Sequence, residues 1–271
     1  MDEPTVVEIV DTRFARDGVR LFTTLEGENP SGSIKDRMVR DELAELLADG
    51  RLSPGDRVSD VSAGSTARSL AHHCRELGLV CDLFVPDVLP ESFTAPLEAL
   101  GATVHRGSRE EGYALYDQFC ATENPHRFEQ LSDHSLLRHY HSLGAAVNER
   151  SGPIDTVIGA VGTGHSVLGV AEAIEPRPFV VSAEPAEPNV ILGIRNVELE
   201  RFGPMDACNP EMFDLRLVLD AGERREFGPV ATDRGELSIG ASFALVLSAV
   251  ERLLAEREVA RVFLVGAENR R

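Results

Sequence analysis

The chain has 271 residues, 42% hydrophobic and 27% charged, which is ordinary for a globular protein with one large core or two modest domains. Lys and Arg number 27 against 45 Asp and Glu, a net charge of -18. This balance argues against nucleic acid and anionic membranes, which recruit clustered cations, and leaves small molecules or proteins as partners.

The N-terminal stretch "MDEPTVVEIVDTRF" is acidic and lacks the apolar core of a secretion signal. No run of about 18 apolar residues offers a membrane span, so a cytoplasmic location is the expectation. Next comes "EGENPSGSIKDR" (26–37), a Gly/Ser-rich loop that ends on Lys35 where an apolar stripe of Met38, Val39, Leu43, Leu46 and Leu47 begins at helical spacing. "ADGRLSPGDR" ends that helix. "VSDVSAG" (58–64) reads as a strand entering a loop, and "STARSLAHHCREL" (65–77) as a helix capped near Ser62 or Ser65. "LVCDLFVPD" is a strand, 90–102 a helix ending at Gly101, "TVHRG" a strand, 110–119 a helix, "RFEQL" a short strand and 135–149 a helix.

The clearest unit is "IDTVIGAVGTGHSVLGVAEAI" (154–174): strand, glycine-rich turn, helix. "FVVSAEPA" is a strand, "ERREFGPVATDRGE" a solvated charged segment, 238–257 a helix and "VARVFLVGA" a closing strand. Strands alternating with helices predict an α/β protein with parallel sheets, and ligands in such folds sit at the carboxyl ends of strands. Cys74, Cys81, Cys120 and Cys208 have no CxxC spacing and read as buried thiols. The His72–His73 and His139/His141 pairs lack metal-site spacing.

Two turns can carry chemistry. "GAVGTGHS" (159–166) follows a strand and opens a helix, so backbone N–H groups converge with the helix dipole behind them. Gly162 and Gly164 allow close approach, and Thr163 and Ser166 add hydroxyls. A phosphate cradle and a tight turn without a ligand both fit. It lacks the lysine of a GxxxxGK[ST] loop, and its letters read GxxGxG, not the dinucleotide pattern GxGxxG. "DVSAGSTA" (60–67) fits a carboxylate site or an N-cap with spare serines. Lys35 fits a solvated lysine at a helix terminus. Near a phosphate cradle it also fits a Schiff-base lysine, and pyridoxal 5'-phosphate (PLP) is the common cofactor that combines an aldehyde with a phosphate.

"NPSGSIKDR" resembles the lysine motif of the cysteine synthase/cystathionine β-synthase group of PLP enzymes, fold type II and tryptophan-synthase-β-like. The other motifs follow in the family's order. "SAGSTA" stands for the substrate-carboxylate loop Thr-Ser-Gly-Asn-Thr-Gly, "EQL" for the glutamine completing that site, "GTGHS" for the phosphate loop Gly-Thr-Gly-Gly-Thr, and "GASFA" for a Gly-x-Ser segment. The resemblance runs from about residue 26 to the C-terminus.

It implies two α/β domains, each a mostly parallel sheet with flanking helices. A large domain of 1–35 plus 142–271 would bind the cofactor phosphate, and a small movable domain of 36–141 the substrate carboxylate. Lys35 would hold PLP as a Schiff base and act as general base. Gly162, Thr163, Gly164, His165 and Ser166 would hold the phosphate, Ser65 the ring oxygen and Ser242 the pyridine nitrogen. Ser62, Ala63, Gly64, Thr66 and Gln130 would hold the substrate carboxylate. "GIRN" (193–196) is similar to an Arg-Asn pair of O-phosphoserine-type sulfhydrylases, which makes Arg195 the expected contact for a substrate phosphate.

The implied reaction is β-replacement on O-phosphoserine or O-acetylserine through an α-aminoacrylate, with sulfide or a thiocarboxylated sulfur-carrier protein as nucleophile, in a homodimer. The rivals are β-replacement with a different nucleophile, giving a non-protein amino acid for a specialised pathway, a serine/threonine dehydratase- or threonine-synthase-like lyase, and a non-catalytic scaffold for a partner protein. The chain departs from the family pattern at Ala63, Ser65, Ala67 and His165. These departures bear on the substrate more than on the cofactor.

Overall fold

The computed structural model describes residues 3–62, 64–188, 190–200 and 208–271. The chain divides into two compact units: Met1–Ile34 with His134–Arg271, and Lys35–Asp133. In chain order the elements are β1 (Val6–Ile9), β2 (Arg20–Thr24), α1 (Lys35–Ala48), β3 (Arg57–Val61), α2 (Ser65–Leu77), β4 (Val80–Pro86), α3 (Glu91–Ala99), β5 (Thr103–Gly107), α4 (Arg109–Glu123) and β6 (His126–Arg127). Then follow α5 (His141–Ser151), β7 (Thr156–Ala160), α6 (His165–Glu172), β8 (Phe179–Pro185), β9 (Leu215–Leu219), β10 (Val230–Thr232), β11 (Gly235–Leu237), α7 (Ala241–Glu256) and β12 (Arg261–Val265). No helix among the described residues is long and apolar enough to cross a membrane.

The smaller unit is a parallel sheet in the order β5-β4-β3-β6. Its helices bury apolar stripes: Met38, Val39, Leu43 and Leu46 on α1, Leu70, Ala71 and Cys74 on α2. Helix α2 ends where Gly78 turns left-handed (φ 69°) and its N–H reaches back to the carbonyls of Cys74 and Arg75. Asp36, in the first turn of α1, meets His73 Nε2 on α2 at 2.8 Å and ties the two helices together. Among the four cysteines none is in a disulfide, and Cys74, Cys81 and Cys208 are buried.

The larger unit is an eight-stranded sheet, β11-β10-β1-β2-β12-β7-β8-β9. Strands β2, β12, β7, β8 and β9 run parallel, while β11, β10, β1 and β2 pair antiparallel. The antiparallel wing is absent from the sequence reading. Its β10–β11 hairpin starts inside the stretch read as solvated charge and ends one residue beyond it, and the reason it pairs is that Val230 and Leu237 are both fully buried. Helix α7 contributes Leu245, Val246, Leu247, Val250 and Leu253 to one core with Val7, Ile158, Val181, Leu217 and Val262.

The boundary between units falls before His134, not after His141. Residues His134–Tyr140, expected as the first part of one α-helix, form a 3-10 helix that packs on α6 and buries Leu136, Leu137 and Tyr140. Packing against α6 assigns them to the larger unit.

One buried ion pair braces the β8–β9 edge. Glu184 is 0% exposed and takes both arms of Arg216, each at 2.9 Å, together with the Ser182 hydroxyl and the Val197 N–H. Burial alone would raise its pKa, but Arg216 and these donors lower it below the ordinary 4.5. Its stabilisation is therefore present at neutral pH and is lost as pH falls below about 4.5 through the depressed folded value. Glu184→Gln leaves Arg216 half-satisfied and is expected to cost about 3 kcal/mol. Urea denaturation at pH 7 and at pH 3.5 checks this, with the gap between wild type and variant narrowing at the lower pH.

Candidate active site

Lys35 is the first residue of α1. The loop before it is organised by Asn29, whose Nδ2 donates to Glu26 Oε2 at 2.7 Å and to the Ser33 carbonyl at 3.0 Å. The turn closes through Gly32 N–H to the Asn29 carbonyl at 2.8 Å, and Ile34 N–H then reaches the Ala267 carbonyl at 2.8 Å. Lys35 is half-buried by surface area, yet it is enclosed by enough protein that desolvation lowers its pKa to about 8, with attraction to Asp60 opposing the fall. Such an amine is neutral often enough to be a nucleophile or base near neutral pH. The sequence held a stronger signal than the motif: Lys35 is the chain's only lysine among 27 basic residues.

The smaller unit also carries the carboxylate-type loop. Ser62 is buried, with its N–H on the Phe84 carbonyl at 3.1 Å, and Gly64 caps α2. Ala63 lies outside the described residues. Thr66 Oγ1 donates to Gln130 Oε1 at 2.6 Å, so two residues far apart in sequence meet as the resemblance implies. Arg68 Nη2 donates to Ser65 Oγ at 3.3 Å, a partner the sequence reading did not include.

The larger unit carries the phosphate-type turn. Gly164 takes φ 83°, left-handed, which lets His165 start α6 with its Cβ in ordinary helical geometry. The His165 imidazole is buried, 6.4 Å from the ring of His134. Thr163 and Ser166 are half-buried on the turn. A Cβ on Gly162 would sit 2.3 Å from the Gly193 carbonyl, so the 162 and 193 backbones touch and only glycine fits.

Arg195 is 3% exposed and is used inside the fold. Its Nε donates to the Gly162 carbonyl and its Nη1 to the Glu200 carbonyl, both at 2.7 Å, and its backbone N–H holds the Val161 carbonyl at 2.9 Å. Expected as a substrate-phosphate contact, it stands as a brace for the turn. Ser242 is half-buried in the first turn of α7, behind the N-cap Gly240.

The model of the family described as pyridoxal-phosphate dependent enzyme matches residues 4–209. The chain belongs to that family. Cysteine synthase B of Pseudomonas aeruginosa is 28% identical over 195 residues, 65% of this chain and 62% of that protein, so the match spans less than two thirds of that relative's length. The O-acetylserine dependent cystathionine beta-synthase of Bacillus subtilis is 24% identical over 251 residues, 87% of this chain and 76% of that protein. The crystal structure of O-ureido-L-serine synthase superposes with a TM-score of 0.82 at 16% identity over 99% of this chain and 89% of that one. An O-acetyl serine sulfhydrylase of Entamoeba histolytica gives 0.79 at 19% identity, over 98% and 86%. These likenesses are to the fold.

The residues present fit the family's cofactor. The chain's single amine side chain is desolvated, and a glycine turn at the N-terminus of α6 is closed to any Cβ at Gly162 and braced by an arginine. Gly162→Ala is expected to push the turn off Gly193 and weaken PLP binding at least about tenfold, the cost of one lost charge-assisted contact. Fluorescence titration with PLP measures the loss, and circular dichroism checks that the variant remains folded.

Proposed function

We propose that this chain catalyses β-replacement on an O-activated L-serine, releasing acetate or phosphate and giving cysteine or a related β-substituted alanine. The observation that carries the reading is Lys35, the chain's one lysine, held desolvated at the start of α1. Kinship with cysteine synthases and with an O-acetylserine-dependent enzyme supports the substrate class.

Bound PLP would supply an aldehyde for the substrate amino group and an electron-withdrawing ring that acidifies the α-carbon. The turn at Gly162, Thr163, Gly164, His165 and Ser166 would hold the phosphate, Ser65 would contact the ring oxygen and Ser242 the pyridine nitrogen. Ser62, Gly64, Thr66 and Gln130 hold the substrate carboxylate. Lys35 takes the proton from Cα as the Cβ–O bond breaks, and returns it to Cα once sulfide or a carrier-bound thiocarboxylate has formed the Cβ–S bond. With a pKa of about 8, about one amine in ten is neutral at pH 7, enough for a base in turnover. A neutral hydroxyl at Ser242 would leave the pyridine nitrogen of bound PLP largely unprotonated, which would favour β-elimination over transamination.

We assign Arg195 to bracing the phosphate turn. Arg195→Lys then weakens PLP binding and lowers turnover of O-phosphoserine and O-acetylserine alike. A loss confined to O-phosphoserine would return Arg195 to direct substrate contact.

Adding PLP to the wild-type chain is expected to produce visible absorbance that Lys35→Ala lacks. Chromatography of products with each serine ester and sulfide then names the leaving group. A folded wild-type chain that gives no band would sink the enzyme reading and leave a scaffold.

A further inference from the structure

No motif of the family pattern used above assigns Asp60, the residue at the carboxyl end of β3. It is 3% exposed. Its Oδ2 accepts from Gln130 Nε2 at 3.1 Å, and the backbone N–H groups of Val61 and Gln130 also bond its carboxylate. Gln130 in turn accepts from Thr66 Oγ1 at 2.6 Å. The chain reaches this position by a costly route. After β6 the Phe128 N–H continues the ladder to the Ser59 carbonyl, and then Glu129 turns left-handed at φ 51°. A non-glycine residue holds that conformation only when its surroundings fix it. Here the Glu129 carbonyl accepts from Ser132 and Asp133, its side chain pairs with Arg127 at 3.0 Å, and Asp60 grips the next residue by both backbone and side chain.

We propose that Asp60 is a positioning residue that couples the two halves of the smaller unit's chemistry: it orients Gln130 for the substrate carboxylate and supplies the negative charge facing Lys35. The proposal rests on the reading of Thr66 and Gln130 as that carboxylate site. Gln130 after β6 hydrogen-bonds Asp60, and the titratable groups that feel its charge are Lys35 from α1, the Cys81 thiol from β4 and the Tyr116 phenol from α4. Lys35 is the only cation among them. Desolvation raises Asp60 to about 7, while its hydrogen bonds and Lys35 pull it down. Desolvation lowers Lys35 to about 8, while Asp60 pulls it up. Below about pH 7 Asp60 gains a proton, and its hold on the lysine charge fades. Between about 7 and 8 both are ionised and support each other.

Because the chain has one lysine, competitive labelling of the full chain, stripped of cofactor, with acetic anhydride, followed by proteolysis and mass spectrometry of the peptide that carries Lys35, reads that amine across pH apart from the N-terminal one. In Asp60→Asn the half-labelling pH of Lys35 is expected to fall by about one unit, a tenfold rise in neutral amine, the usual size for a lost opposite charge nearby. The KM for O-acetylserine should rise at least about tenfold, because Asn presents an NH2 where Gln130 needs an acceptor. An unchanged midpoint in folded Asp60→Asn overturns the proposal. If that variant does not fold, Asp60→Glu, which keeps the charge, decides. A midpoint at or above that of wild type supports the coupling, and one below it refutes it. The labelling result is independent of turnover, so failure of the β-replacement reading shows separately as wild-type chain that captures no PLP.

Discussion

The site depends on keeping one amine out of water. An ammonium loses several kcal/mol of hydration on burial, and the protein escapes most of that cost by letting the proton go. Lys35 does so partway: desolvation takes its pKa down to about 8, with attraction to the Asp60 charge opposing the fall. Every other basic side chain apart from the histidines is an arginine, which stays protonated and cannot form a Schiff base. Amine chemistry is thereby confined to one side chain, and that side chain is the first residue of a helix whose next residue is locked to α2 through His73.

The phosphate-type turn is rigid for a different reason. Helix N-termini attract anions through aligned N–H groups, but the groups must stay aligned before the anion arrives. Here the turn is tied to a segment about thirty residues later. Gly162 touches Gly193, Arg195 holds the Val161 and Gly162 carbonyls, and Asn196 Nδ2 reaches the Pro185 carbonyl at 3.2 Å. Val197 N–H ends on the buried Glu184 carboxylate, so the brace is anchored on the β8–β9 edge by the Arg216 pair. An ion pair at the sheet edge thus bears on the geometry of a turn several residues away, through backbone contacts that each have two defined partners.

What was legible in the sequence was local. Helix α2, the β7–turn–α6 unit and the start of α1 at Lys35 could be read because period, caps and glycines agree there. The antiparallel wing could not: β10 and β11 are three residues each, too short for periodicity, and sit among charges. The 3-10 helix at His134–Tyr140 was read as α because its apolar spacing suits either geometry. Gln130 was found through the family order, but its orientation was not legible. That orientation arises from a left-handed Glu129 and from Asp60, some seventy residues earlier, pairings that no window of sequence contains. The bonds Arg195 makes were not legible for a related reason, since a guanidinium suits a phosphate and a pair of carbonyls equally well, and the fold sets it on the carbonyls of Gly162 and Glu200.

The departures from the family pattern can be weighed on the same physical terms. Serine in place of asparagine at position 65 removes an amide NH2 that would donate to the cofactor ring. The Ser65 hydroxyl accepts from Arg68 at 3.3 Å, and a hydroxyl that accepts still carries a proton to donate. The guanidinium beside it makes that proton more acidic, so a shorter side chain keeps the donor chemistry with a charge behind it. Histidine in place of glycine at 165 costs no backbone strain, because Gly164 has absorbed the left-handed turn one residue earlier. Position 65 therefore keeps a hydroxyl in the first turn of α2, and position 165 keeps an unstrained backbone at the start of α6. What differs around the two turns is a shorter side chain beside Arg68 at one and a buried imidazole at the other, so one turn loses bulk and the other gains it.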